Sequence, residues 1–165
     1  MIQVPAVGKS GGLVVLWDDN LLDIATTSQE IHTMVKIRST NELWLFSCIY
    51  VSNHRNILWQ NLKTIKDNYN GKWLIGGDFN ELMSNSDKSG GKSISTSRMN
   101  DLWDVVNYCE LIDMGFKGNR YTWLNKHFKN RSKLIFERLD RFFANNEWLL
   151  KIFNYPVLIL TIVLY

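Results

Sequence analysis

The chain has 165 residues, 45% hydrophobic and 21% charged, enough for one domain with a substantial core and unlike a disordered or collagen-like chain. Nineteen basic and sixteen acidic residues leave a net charge of +3, too small to identify a polyanion binder by net charge alone. Two cysteines, Cys48 and Cys109, exclude a disulfide framework and a Cys/His metal spacing, and read as reduced thiols of a nuclear or cytoplasmic protein. No basic-then-apolar leader follows Met1. The apolar run over 156–165 is about half the ~20 residues that cross a bilayer, so no membrane partner is expected.

In chain order, residues 12–17 (Gly-Leu-Val-Val-Leu-Trp) read as a short buried strand after a Gly-Lys-Ser-Gly turn. Residues 22–27 and 32–38 continue in extended style, with Thr33, Val35 and Ile37 alternating against Met34, Lys36 and Arg38. The run 43–51 is apolar but for Ser47, the mark of a central strand covered on both faces. The period then changes. Leu58, Leu62, Ile65 and Tyr69 recur at the spacing of an amphipathic helix over 55–69. Residues 73–77 form a short strand that runs into a glycine pair, and 84–97 is a Ser/Gly/Lys-rich loop. Met99, Leu102, Val106 and Cys109 predict a second helix, with Ser95 or Thr96 as cap. Strands are expected at 111–114, 120–125 and 134–144, a short helix through Leu150 capped by Asn145 or Asn146, and a last β-branched strand at 157–164. Such an order is a mixed α/β or α+β sandwich, with no repeat and no interdomain linker.

Charge is unevenly spread. Between Lys117 and Arg141 stand eight basic residues against Glu137 and Asp140, a local +6. Tyr121, Trp123, Phe128 and Phe136 are interleaved with them. A basic strip with aromatics suits a polyanion whose phosphates need cations and whose bases need flat partners; a solvated hairpin with its aromatics in the core reads the same way. Gly8-Lys9-Ser10 and Gly91-Lys92-Ser93 echo the end of a phosphate loop but lack its upstream glycine, and read as turns. His32, His54 and His127 have no metal spacing and read as surface residues.

The chemistry gathers at a strand end. In Trp73-Leu74-Ile75-Gly76-Gly77-Asp78-Phe79-Asn80-Glu81, alternation puts Asp78 and Asn80 on one side and Phe79 in the core. The carboxylate can take a proton from a water while the amide donates to a phosphate. An Asx turn after a strand accounts for the same pair.

Gly76-Gly77-Asp78-Phe79-Asn80-Glu81, Asn119-Arg120-Tyr121-Thr122-Trp123 and Glu137-Arg138-Leu139-Asp140-Arg141-Phe142 together resemble the endonuclease/exonuclease/phosphatase superfamily. In order and spacing they are most similar to the apurinic-type endonuclease domain of plant LINE (non-LTR) retrotransposons. Lys9-Ser10-Gly11-Gly12-Leu13 and Ile49-Tyr50 fit the same pattern. The resemblance implies a four-layered α/β sandwich of two β-sheets flanked by helices. It also implies Mg²⁺-dependent hydrolysis of DNA phosphodiester bonds. On this reading Asp78 activates or orients the water, Asn80 holds nucleophile and phosphate, Tyr50 contacts the scissile phosphate, and Asp140 orients the family's catalytic histidine. DNA would lie along Arg120, Tyr121, Trp123, Lys126, Arg131 and Arg138. A reverse transcriptase would follow in a longer parent polyprotein.

The pattern is incomplete. The family opens with a strand bearing an Asn and another bearing the metal-binding Glu, whereas residues 1–7 contain no acid. It closes on a Ser-Asp-His motif, and residues 154–165 resemble the strand before it. The expectation is therefore one partial domain over 1–165 without those N-terminal strands and that Asp-His motif. Its metal ligands are unassigned, Mg²⁺ is weakly held, and its reaction is impaired or absent. Glu81 is expected at the surface, opening the following loop. A non-catalytic remnant with weak DNA binding and a phosphatase-type member of the superfamily remain the alternatives.

Overall fold

Residues 43–50 place Trp44, Phe46 and Cys48 on one face of an extended chain and Leu45 and Ile49 on the other, and all five are buried. A strand apolar on both faces must have a packed layer on each side, and this requirement organises the molecule. The computed structural model describes residues 1–5, 13–16, 20, 22–26, 32–51, 55–127, 130–152 and 161–164. Its elements are β1 Ile2–Val4, β2 Leu13–Leu16, β3 Leu22–Thr26, β4 His32–Ile37, β5 Leu43–Tyr50, α1 Arg55–Asn68, β6 Trp73–Asp78, β7 Lys88–Ser89, α2 Thr96–Tyr108, β8 Ile112–Asp113, β9 Trp123–Leu124, β10 Phe136–Glu137, β11 Asp140–Ala144, α3 Asn146–Ile152 and β12 Thr161–Leu164. Short 3₁₀ turns occupy Asn85–Asp87 and Arg131–Lys133.

The principal sheet has the order β3-β4-β5-β6-β11-β8. Only β5 and β6 run parallel, and a parallel pair needs a crossover. The helix α1 supplies it. Beside α2, it covers one face, where Trp59, Leu62, Leu102 and Val106 meet Ile49, Ile75, Phe79 and Phe143. The second sheet, β1-β2-β12, covers the other face. There Leu13 and Val15 share a core with Val35, Trp44, Phe46, Leu74 and Trp148. Two facing sheets with helices outside are the sandwich the sequence implies.

A third sheet, β7-β10-β9, extends past the start of β11. The expected single strand over 134–144 is in fact two strands in two sheets. The break falls at Arg138 and Leu139, whose backbone groups leave the ladder: Arg138 N–H donates to Asp87 O at 2.9 Å and Leu139 O accepts from Phe79 N–H at 3.0 Å. The short strand β1 had no signal, because three residues are too few for a period. The expected 84–97 loop holds a 3₁₀ turn and β7.

Asn145 caps α3, its Oδ1 accepting from Trp148 N–H at 3.1 Å, and the same oxygen accepts from Trp73 N–H at 2.9 Å. Gly77 has φ 145°, and a Cβ there would stand 1.9 Å from Ile49 O; only glycine lets β5 and β6 close here. His32 is not a surface residue as expected. Ser47 Oγ accepts from Trp73 Nε1–H at 2.9 Å and lies 2.7 Å from His32 Nδ1. Burial pushes the imidazole pKa down to about 4, so the ring is neutral near pH 7. His127 is exposed, and His54 lies outside the described residues. Cys48 and Cys109 are buried thiols without a disulfide, pushed up to about 12 and about 11 by burial. Among the described residues no helix is long and apolar enough to cross a membrane.

Candidate active site

Three adjacent strands end together. In β5 and β6, Tyr50 is the register partner of Asp78; in β6 and β11, Asp78 is the partner of Asp140. Neighbouring Cα atoms in such ladders lie ~4.5–5.5 Å apart. The pleat turns all three side chains to the face that carries Phe46, Leu74 and Ala144. The result is a row of Tyr50, Asp78 and Asp140 at one end of the core between the sheets, each half-buried.

Asn80 joins the row by a turn. Phe79 is sunk in the opposite core against Phe143 at 4.9 Å and Trp59 at 6.5 Å, which anchors the chain just past the strand. Asn80 then takes φ 47°, a left-handed conformation that asparagine tolerates better than most residues. Its N–H donates to Asp78 Oδ1 at 2.7 Å, and its Nδ2 donates to Val51 O at 3.3 Å. The Asx turn and the paired site are thus one structure. Burial is the main cause that pushes the Asp78 carboxyl up to about 6; the Asn80 N–H pulls it down and the nearby Asp140 charge adds to the rise. A carboxylate with a pKa close to neutrality is suited to exchanging protons with a bound water.

Thr122 was missed. Its Oγ1 accepts from Leu139 N–H at 3.0 Å and Asp140 N–H at 3.1 Å, and so fixes the start of β11 beneath Asp140. The sequence offered only a β-branched residue between two aromatics, which reads as a strand former. A buried charge cluster was missed as well. Arg141 donates to Asp87 Oδ2 at 2.6 Å and to Asp113 Oδ2 at 2.7 Å, and Arg138 donates to Asp113 Oδ1 at 2.8 Å and Gly115 O at 3.0 Å. Asp87 also accepts from the N–H groups of Met83 and Ser84 at 3.2 and 3.0 Å. Burial alone would raise the Asp87 carboxyl, but the Arg141 charge and these hydrogen bonds outweigh it, and its pKa is lowered. The partners stand far apart in sequence, so no local spacing could announce them.

Glu81 is a correction: it is 3% exposed, paired to Arg55 at the start of α1, because the turn at Asn80 directs the next residue inward. Arg138 is another. It is 6% exposed and engaged with Asp113, which takes it off the expected DNA face. Arg120 is intermediate, donating to Ser86 Oγ at 2.6 Å and lying over the Phe116 ring. Lys126, Arg131 and Trp123 are exposed, and Tyr121 is half-buried against Phe136 at 5.8 Å. Phe128 and Lys129 lie outside the described residues.

The profile of the Endonuclease/Exonuclease/phosphatase family matches residues 3–152. The chain belongs to this family. No curated protein matches it by sequence. Among solved structures, it is similar to the endonuclease domain of TRAS1, a telomere-specific non-LTR retrotransposon, with a TM-score of 0.58 and 15% identity over 81% of this chain and 60% of that one. It thus spans about three-fifths of that domain's length. Weaker likenesses are beta toxin 275-280 from Staphylococcus aureus (TM-score 0.44, 17% identity, 73% and 44% coverage) and an endonuclease/exonuclease/phosphatase family protein from Leptotrichia buccalis C-1013-b (0.46, 15%, 77% and 48%).

Members of this family are generally divalent-metal dependent. A bound Mg²⁺ takes six oxygens, commonly one or two carboxylates with waters and phosphate. Asp78 and Asp140 are the two carboxylates in register here, and among the described residues no group of three His, Cys, Asp or Glu could hold a metal. The described residues do not by themselves make a resident metal site.

Proposed function

We propose that the chain is a DNA phosphodiesterase domain of the retrotransposon endonuclease type, supplying the water-activating side of the site. The row of Tyr50, Asp78 and Asp140, with Asn80 turned onto Asp78, carries this reading. Asp78 receives a proton from the attacking water, the water oxygen bonds to phosphorus, and the phosphorus–oxygen bond opposite breaks with its leaving oxygen protonated by solvent. Asn80 Nδ2 and the Tyr50 hydroxyl orient the phosphate, while burial, with a smaller contribution from the Asp140 charge, holds the Asp78 carboxyl near its working range. Exposed Lys126 and Arg131, with Trp123, track the DNA strand.

The metal-binding Glu and catalytic His that the resemblance implies have no counterpart among the described residues: His32 is committed to Ser47, and His127 lies on an exposed segment. Each such group is worth ~10²–10⁴ in rate, so cutting by this chain is slow. The LINE affiliation, a plant source, a reverse transcriptase in a longer polyprotein, and residence where DNA is reached, in nucleus or cytoplasm, belong to the same proposal on the strength of the motif order. Nicking of supercoiled plasmid with Mg²⁺ tests it. Slow nicking abolished by Asp78→Ala is expected. No nicking from protein that melts cooperatively overturns the hydrolase reading in favour of a non-catalytic remnant.

A further inference from the structure

Asn80 stands between two buried neighbours. Before it, Phe79 is packed in the core and its N–H donates to Leu139 O at 3.0 Å. After it, Glu81 is 3% exposed, its Oε1 paired with Nη1 of Arg55, the first residue of α1. The end of β5 meets the same turn. Val51 N–H donates to Asp78 O at 2.8 Å, and Val51 O accepts from Asn80 Nδ2 at 3.3 Å. Both ends of the connection from β5 to α1 are therefore fastened to residues 78–81, Val51 through Asp78 and Asn80, and Arg55 through Glu81. Lys88 and Lys92 line a cleft together with Glu81, but Lys88 donates to Glu137 at 2.6 Å and Lys92 lies on an exposed segment. Arg55 is the cation that engages Glu81.

Packing alone does not call for an ion pair here. Leu82 and Met83, next along the chain, are buried, and an apolar side chain at 81 would fill the same space. Replacing a buried ion pair by apolar groups of like volume is often neutral or stabilising. What the pair adds is direction: the carboxylate must aim its oxygen at the guanidinium, and this fixes the backbone that carries it. Asn80 needs such fixing. Its φ of 47° is a conformation that a non-glycine residue keeps only when its surroundings impose it, and its 3.3 Å contact with Val51 O is long for a hydrogen bond. We propose that Arg55 and Glu81 are positioning residues for Asn80, their ion pair locking the turn so that one Nδ2 hydrogen stays on Val51 O and the other faces the phosphate. The proposal rests on the reading of the chain as a DNA phosphodiesterase, and both residues act through Asn80.

Backbone dynamics test it without any cutting. Nitrogen-15 relaxation of the full chain reads the order parameter of each N–H, and in the wild type both Asn80 and Ile75, buried in β6, should stand near the ~0.85 of rigid backbone. The double variant Arg55→Met/Glu81→Leu keeps the volume and a cooperative melt. In it Asn80 should fall below ~0.6 with Ile75 unchanged. Plasmid nicking should slow by about tenfold in kcat with KM for DNA nearly unchanged, and adding Asn80→Ala should slow it no further. If the double variant does not melt cooperatively, Glu81→Gln, which removes the charge and keeps the shape, carries the same comparison. The proposal is overturned if Asn80 is already mobile in the wild type, if it stays as ordered in the variant, if Asn80 and Ile75 loosen together, or if both variants lose the fold; the pair is then a structural tie and nothing more. Selective loosening of Asn80 in a chain that does not nick sinks the hydrolase reading alone, and Asp78-dependent nicking with Asn80 still rigid in the variant sinks the positioning pair alone.

Discussion

Asp78 and Asp140 are direct partners across the antiparallel β6–β11 pair, two carboxylates on the same face at the same end of one sheet. Their juxtaposition is not a stabilising arrangement. Burial, with the Asp140 charge added to it, lifts the Asp78 carboxyl from 3.8 to about 6. The native state then holds that proton more tightly than the unfolded chain, and stability falls as pH rises between those values.

Asp78→Asn should therefore stabilise the protein while removing its activity. The full shift is worth at most about 3 kcal/mol at ~1.4 kcal/mol per unit; water at the strand end reduces this to about 1–2 kcal/mol. At roughly 2–4 °C per kcal/mol, Tm at pH 8 rises by about 2–8 °C. The gain shrinks toward pH 4, where the native carboxyl is protonated anyway. Thermal melts of both proteins across this range check it, and a Tm gain independent of pH would contradict the assignment.

Asp87 makes the opposite contribution. Its pKa is held below 3.8, so the stability it adds is present above that value and is lost as pH falls through the native pKa. Asp87→Ala leaves the buried Arg141 guanidinium with one carboxylate instead of two, which should cost about 3–5 kcal/mol in urea unfolding at pH 7. Asp87→Asn should cost less and make acid unfolding shallower.

Thr122→Val removes the acceptor shared by Leu139 and Asp140. The expected loss is about 1–3 kcal/mol of stability, with nicking reduced beyond what that loss explains. Thr122→Ser keeps the oxygen and should restore both.

The basic strip divides by function. Lys126→Ala and Arg131→Ala should each weaken duplex DNA binding and lower the salt slope by about 0.9 per charge, with Tm unchanged. Arg138→Ala should do the reverse, because its guanidinium is enclosed by Asp113 and Gly115: a lower Tm and an unchanged slope. Binding isotherms at several salt concentrations separate the two groups.

Much of the sandwich could be read along the chain. The apolar 43–51 run and the Leu58–Tyr69 spacing correspond to β5 and α1, since a strand buried on both faces and an amphipathic helix each need a periodic pattern that local sequence carries. The glycine pair before Asp78 and the Asx turn at Asn80 were legible for the same reason: their geometry is set within a few residues.

Pairings across the sheet were not. Whether residues 134–144 form one strand or two depended on hydrogen bonds from Phe79 and Asp87, which lie some fifty residues upstream. Arg138 and Arg141 read as polyanion contacts because a linear count of charge cannot see Asp87 and Asp113 folding in beneath them. Local sequence determined the long elements β5, α1 and α2 and the candidate pair Asp78 and Asn80, through side-chain periodicity and turn chemistry. Only the tertiary structure brought Tyr50, Asp78 and Asp140 into one row and divided the arginines between core and surface, because register and burial arise between segments that are distant in the chain.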